Sequence, residues 1–273
     1  MKRLIFGNGK VSKIVRHDSD IIIDRSKCDI NNELLISHYI KQHNPDVVIN
    51  CAAKTNLEYC QENKTSAFKS NVNGVLNLIE ACNSFNKKPK LIHISSGCLF
   101  DGNDFISDEN TPASPAVWYT WTKKWADEII ENHGYENYLI LRPRQLISKN
   151  PHPSNMITKF SNMKSIKAIE EKNSLTCIED FSEMIDHLIN IDATGIFNCA
   201  NTGVISPYDI ALLIKLKLNN HLDVSKISYK ELLSMLPNRR VNTVLSCQKL
   251  IDTGYTPRPA IDALNWCLEN YGK

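Results

Sequence analysis

Apolar residues in the first half of the chain fall in short continuous runs separated by longer segments of helical spacing. The runs at 4–6, 21–23, 47–49, 91–94 and 138–141 read as strands, because near-continuous Leu, Ile and Val suit a parallel sheet buried on both faces. Between them, 34–41, 67–86 and 123–132 carry the helical period, with Val72, Val75, Leu76 and Ile79 at core spacing in the second. Strand alternating with helix predicts an α/β fold, a doubly wound parallel sheet of the Rossmann-like kind, over residues 1–143. Residues 100–103 read as a loop leaving the fourth strand.

Beyond Arg142 the pattern changes. Pro143, Pro151 and Pro153 interrupt the chain, and a helix restarts at 155–160. Residues 144–273 are expected to form a smaller C-terminal lobe that holds substrate, with the strand at 195–199 returning to the main sheet. Further helices fall at 180–189 and at 206–218, where Ser206-Pro207 supplies a cap and an N1 proline and Asp209 an acidic first turn. Residues 219–273 are expected to add two short helices around Pro237-Asn-Arg-Arg-Val-Asn242.

Composition narrows the field without naming a function. A chain of 273 residues can bury one large core plus a smaller lobe, and its net charge of +2, with no long Lys/Arg block, supports neither nucleic-acid nor membrane-surface binding. The nine cysteines are odd in number and scattered, without the short paired spacings of a zinc site or a disulfide framework, so they read as reduced thiols and no metal is expected. No apolar run is long enough for a bilayer span or, at the N-terminus, a signal peptide. A soluble, cytoplasmic protein is expected, and a homodimer is compatible with it.

Three stretches carry candidate chemistry. After the first strand, Gly7-Asn8-Gly9-Lys10-Val11-Ser12 stands where a helix should open, so its two glycines allow a tight turn and close approach of a dinucleotide pyrophosphate; Ser12 replaces the third glycine of that fingerprint. The second strand ends in Asp24-Arg25-Ser26. An acid there suits the ribose hydroxyl of NAD and an arginine the 2′-phosphate of NADP; Arg25 with Ser26 favours NADPH over NADH, the alternative being a solvated Asp-Arg pair. Third, Ser95-Ser96-Gly97-Cys98 ends the fourth strand, where ligands sit in an open α/β sheet, and Tyr119 and Lys123 follow four apart on a helical face.

The order of a serine-bearing strand followed by Tyr-x-x-x-Lys resembles the extended short-chain dehydrogenase/reductase family. That resemblance implies that Ser96 polarises a carbonyl, Tyr119 transfers the proton, and Lys123 lowers the tyrosine pKa and orients the nicotinamide ribose. It also places Asp29 and Ile30 beside the adenine, although Asp29 could equally cap the following helix, and Cys51, Ala52 and Ala53 beside the ribose and pyrophosphate. Asn73 is implied as a brace for the active-site strand, with a surface asparagine as the alternative.

Within that family the chain looks like the dTDP-4-dehydrorhamnose reductases. It is more similar to the bifunctional UDP-4-keto-6-deoxyglucose 3,5-epimerase/4-reductases that make UDP-L-rhamnose. Ser95-Ser-Gly-Cys-Leu-Phe100 carries the Gly-Cys of the bifunctional enzymes, and the likeness continues through Arg142-Pro-Arg-Gln-Leu-Ile-Ser148, Asn155-Met-Ile-Thr-Lys159 and Gly195-Ile-Phe-Asn-Cys-Ala-Asn-Thr-Gly-Val204. Departures are Ser12 for glycine, Ser96 for threonine and a shorter loop at 54–60. The resemblance assigns Cys98 and Lys159 as the acid and base of epimerisation, whose alternatives are a small buried residue and a solvated lysine. It makes Asn155 and Arg240 substrate-binding, with Arg240, or neighbouring Arg239, as partner of the UDP phosphates. Two other readings stay open: a reductase of UDP- or dTDP-4-dehydrorhamnose without epimerase activity, and a non-catalytic regulatory subunit of the same fold.

Overall fold

A computed structural model describes residues 1–102 and 106–273 in full. Six parallel strands form the main sheet in the order Gly195–Asn198, Tyr138–Arg142, Lys90–Ile94, Val47–Asn50, Arg3–Phe6, Ile21–Ile23. Successive strands run outward from Arg3–Phe6 in both directions, which is the doubly wound topology the alternation predicts. The four strands at the centre are buried almost throughout, consistent with their unbroken apolar sequence. The strand at 195–198 lies at the sheet edge beside Tyr138–Arg142.

The chain divides into two compact units. The first comprises Met1–Leu99, Pro115–Arg142 and Leu188–Phe197; the second comprises Phe100–Ser114, Pro143–His187 and Asn198–Lys273. The division therefore differs from a single boundary near 143, because 100–114 groups with the second unit. There Gly102–Ser107 is a strand paired in parallel with Thr243–Leu245, so the loop expected at 100–103 ends at Gly102, and Asn103 lies outside the described residues.

Helix termini follow their capping residues. Asn32 rather than Asp29 caps Glu33–His43, accepting from the Leu35 N–H at 3.1 Å. Ser206 and Asp209 form a reciprocal capping box on Pro207–Lys217. The long helical segment after the third strand has a wide, π-type turn at Lys69–Asn73 leading into Gly74–Ser84. Val72, Val75 and Ile79 face the core as expected, but Leu76 is 38% exposed and Leu78 is fully buried in its place.

The second unit has its own core, in which Ile157, Leu175, Ile210, Ile214, Leu222 and Leu264 pack together. Its strands are short pairs: Ser165–Ala168 with Asp223–Lys226, and Leu146–Ile147 with Thr176–Cys177. Residues 219–273 hold three helices, Tyr229–Met235, Gln248–Asp252 and Ala260–Glu269, instead of two.

Candidate active site

The helix Trp118–Asn132 brings one polar stripe into the interior of the first unit. Tyr119, Lys123 and Asp127, at i, i+4 and i+8, are 8%, 2% and 2% exposed. The Lys123 ammonium donates to the Ile94 carbonyl at 2.8 Å, which ties the helix to the end of the strand that leads into Ser96. Burial lowers the Lys123 pKa to about 8, against the raising effect of Asp127, Cys51 and Cys60. Burial likewise raises the Asp127 pKa, opposed first by Arg142, whose guanidinium pairs with that carboxylate at 3.1 Å. Asp127 was not anticipated from the sequence, although its spacing from Tyr119 and Lys123 marks it.

Ser96 is buried and Cys98 half-buried on the short turn at Gly97–Leu99, where the Cys98 N–H donates to the Ser96 hydroxyl at 3.1 Å. Beneath them His93 lies 3.1 Å from the Asn50 side chain, and burial, with the Lys123 charge adding to it, holds the ring's pKa well down, so the imidazole is neutral.

The brace behind the helix is Asn71, not Asn73. Asn73 is exposed, whereas Asn71 is buried and donates to the Lys54 carbonyl and to Thr122 Oγ1, each at 2.9 Å, while its own oxygen accepts from the Lys54 N–H at 2.7 Å. Thr122 then donates to the Tyr119 carbonyl at 2.7 Å. One asparagine thus fixes both a loop after the third strand and the backbone turn that presents Tyr119.

A cavity of about 200 Å³ in the first unit gathers most of the residues expected to hold a dinucleotide. Gly7, Gly9, Arg25, Asp29, Ile30, Cys51, Ala52 and Ala53 line it, together with Asn8, Cys28, Lys54 and Ser70. Gly7 has φ +99°, and a Cβ there would meet the Ala52 backbone nitrogen at 2.9 Å, so only glycine fits. Ser12, in place of the third glycine, is fully buried and donates to the Gly9 carbonyl at 3.0 Å, which closes the turn from behind. Lys10 and Val11 open the following helix and are not among the lining residues.

At the end of the second strand the acid and the arginine separate. Asp24 accepts from the Ser26 hydroxyl and backbone and from the Lys27 N–H, and these bonds, the Ser26 hydroxyl foremost, lower its pKa. The Ser26 hydroxyl is spent on that turn and does not line the cavity. Arg25 does line it, held 3.3 Å from the Asp29 carboxylate.

In the second unit Asn155 caps Met156–Ser161 and is completely buried. It accepts from the Ile157 N–H and donates to the Ser148 and Asn150 carbonyls, so its side chain holds the local loop rather than standing open to a ligand. Lys159 is exposed on the last turn of that helix. Arg239 pairs with Asp101 at 2.6 Å, whereas Arg240 has its carbonyl held by the Tyr229 hydroxyl. Buried Arg144 donates to the Val241 carbonyl and to Asn173, whose oxygen also accepts from the Thr243 N–H, and this lattice fixes the segment after the two arginines.

Residues 7–272 match the RmlD substrate binding domain family. The chain belongs to that family. Among relatives of this RmlD member is a bifunctional dTDP-4-dehydrorhamnose 3,5-epimerase/dTDP-4-dehydrorhamnose reductase of Arabidopsis thaliana, 28% identical over 223 residues that cover 77% of this chain and 72% of that protein. A protein of Acanthamoeba polyphaga mimivirus is 27% identical over 272 residues, covering 92% of this chain and 91% of the other. The crystal structure of the UDP-rhamnose synthase from that virus superposes with a TM-score of 0.86 at 24% identity over 99% of both chains. The dTDP-4-dehydrorhamnose reductase of Bacillus anthracis, solved in complex with NADP, gives a TM-score of 0.88 at 22% identity over 99% of this chain and 98% of that one. These likenesses establish the RmlD-type fold. Among the described residues no helix is long and apolar enough to cross a membrane.

Proposed function

We propose that this protein converts UDP-4-keto-6-deoxy-D-glucose to UDP-L-rhamnose, epimerising C3 and C5 and then reducing the C4 ketone with NADPH. The observation that carries the reading is the buried stripe of Tyr119 and Lys123, tethered through Ile94 to the strand end that bears Ser96. The names of the Arabidopsis and mimivirus relatives support the same reaction class.

NADPH fits the residues of the first-unit cavity. Gly7, Gly9 and Cys51–Ala53 offer backbone with no bulky side chain, and Arg25 offers a guanidinium where a 2′-phosphate would need one. The NADP in the Bacillus anthracis structure supports that choice. When bound, NADPH supplies the hydride for C4.

The protein's own residues do the rest. Tyr119 delivers the proton to the C4 oxygen, and Ser96 holds that oxygen by a hydrogen bond. The Lys123 ammonium stabilises the tyrosinate that remains, because an opposite charge favours the ionised phenol. Epimerisation needs no hydride. The C4 carbonyl acidifies the hydrogens at C3 and C5, so an acid and a base can invert each centre through an enolate, and Cys98 and Lys159 are the proposed pair. Arg240 is the proposed partner of the diphosphate.

The test is incubation with UDP-4-keto-6-deoxyglucose in D₂O, first without and then with NADPH. Deuterium should enter C3 and C5 in the first step, and L-rhamnose should appear in the second. Cys98→Ala and Lys159→Ala should suppress exchange while still permitting reduction of a substrate already in the L-configuration. Reduction without exchange in the wild type would make the protein a reductase only. No consumption of NADPH with either sugar would leave the regulatory-subunit reading.

A further inference from the structure

In the second unit two cysteines that are 90 residues apart in sequence meet. Cys177 ends the short strand Thr176–Cys177 and Cys267 lies in the helix Ala260–Glu269; both are fully buried, and their sulfurs are 3.6 Å apart. Glu179 joins them, with its Oε2 3.2 Å from Cys177 Sγ, and the three ligand atoms all lie within 4.8 Å of one another.

The carboxylate is fixed from behind. Its Oε1 accepts from the Ser148 hydroxyl at 2.7 Å and from the Lys149 N–H and the Asn150 side chain, each at 3.3 Å, which leaves Oε2 turned to the sulfurs. The Arg258 guanidinium approaches Cys177 Sγ at 3.8 Å and is itself gripped by Asp180 at 3.1 and 2.5 Å. We propose that Cys177, Cys267 and Glu179 bind a zinc ion.

The two spacings from Cys177 match the metal, 3.6 Å to Cys267 Sγ and 3.2 Å to Glu179 Oε2. Two sulfurs bound tetrahedrally to zinc at about 2.3 Å stand roughly 3.8 Å apart, and a carboxylate oxygen in the same tetrahedron lies about 3.5 Å from each. Soft thiolates select zinc over magnesium or calcium, and hydrogen bonds that lock the far oxygen of a ligating carboxylate are the supports such sites use. Zinc would replace the two thiol protons, which pass to solvent, with no change of oxidation state. Three protein ligands leave the fourth position to water. Two thiolates and a carboxylate around a divalent ion leave one negative charge, and the Arg258–Asp180 pair turns its guanidinium towards it at Cys177. A disulfide accounts for the cluster less well, since the aligned Glu179 carboxylate has no part in one. The bound ion would staple the C-terminal helix to the segment at 176–179.

The test uses the full chain, stripped with a chelator, dialysed against buffered zinc and freed of unbound metal. One zinc per chain should remain and raise the unfolding temperature, and cobalt in its place should show a thiolate charge-transfer band. Cys267→Ser should lose the band and the retained metal. Glu179→Gln, nearly isosteric and so a control for folding, should weaken zinc binding at least about tenfold. Failure of the wild type to retain zinc would overturn the proposal. So would a Cys267→Ser chain that holds as much zinc as the wild type, because the metal would then sit on other cysteines. Peroxide linking Cys177 to Cys267 in a chain that holds no zinc would replace it with a disulfide.

Discussion

The two units present their candidate chemistry in opposite ways. In the first, Tyr119, Lys123 and Ser96 are buried on a 15-residue helix and a central strand end; the Lys123 ammonium and the Ser96 hydroxyl bond to backbone, and the Tyr119 carbonyl accepts from Thr122. In the second, Lys159 is exposed on a six-residue helix and Arg239 and Arg240 lie in an irregular segment, although Arg144 and Asn173 pin the backbone beside them. The first arrangement fixes its side chains on rigid elements, whereas the second leaves Lys159, Arg239 and Arg240 on short or irregular segments, where the chain can differ without disturbing a core.

The contrast predicts a graded set of effects. Tyr119→Phe should lower the rate of reduction by about 10²- to 10⁴-fold, the usual worth of a general acid, with NADPH affinity largely kept. Single-turnover kinetics and a cofactor titration check this, and near-wild-type turnover would remove Tyr119 from the reaction.

Asn71→Ala should cost about 1–3 kcal/mol of stability in urea unfolding, because the Lys54 backbone and Thr122 lose buried partners. Asn73→Ala, on the exposed face, should stay within about 0.5 kcal/mol. Equal losses would contradict the assignment of the brace.

The value of kcat/KM for reduction should fall about tenfold per unit as pH rises beyond about 8. Burial lowers the Lys123 pKa to about 8, so the ammonium that supports Tyr119 is present below that pH and lost above it. A profile flat to pH 10 would show that the charge on Lys123 is not used.

A modest effect belongs to the exposed contact. Arg25→Ala should weaken NADPH binding about tenfold and leave NADH nearly unchanged, as expected for one charge-assisted contact of about 1.4 kcal/mol. Equal affinity of the wild type for both cofactors would mean that Arg25 serves only its ion pair with Asp29.

Sequence alone determined what is local. Unbroken apolar runs specify strands buried on both faces, Ser206-Pro207 and Asp209 specify where a helix begins, and four-residue spacing puts Tyr119 and Lys123 on one face; each follows from the chain's own period and capping chemistry. Asn71 was also within reach, lying four residues before Val75 and seven before Leu78 on the buried face. Tertiary structure alone decided the rest. The short strand Gly102–Ser107 exists because Thr243–Leu245 pairs with it, Asn155 is removed from solvent by the Ser148 and Asn150 carbonyls, and Cys177 meets Cys267 across 90 residues. No local period encodes such meetings, because they depend on how separately formed elements pack, and only the folded core brings those partners within bonding distance.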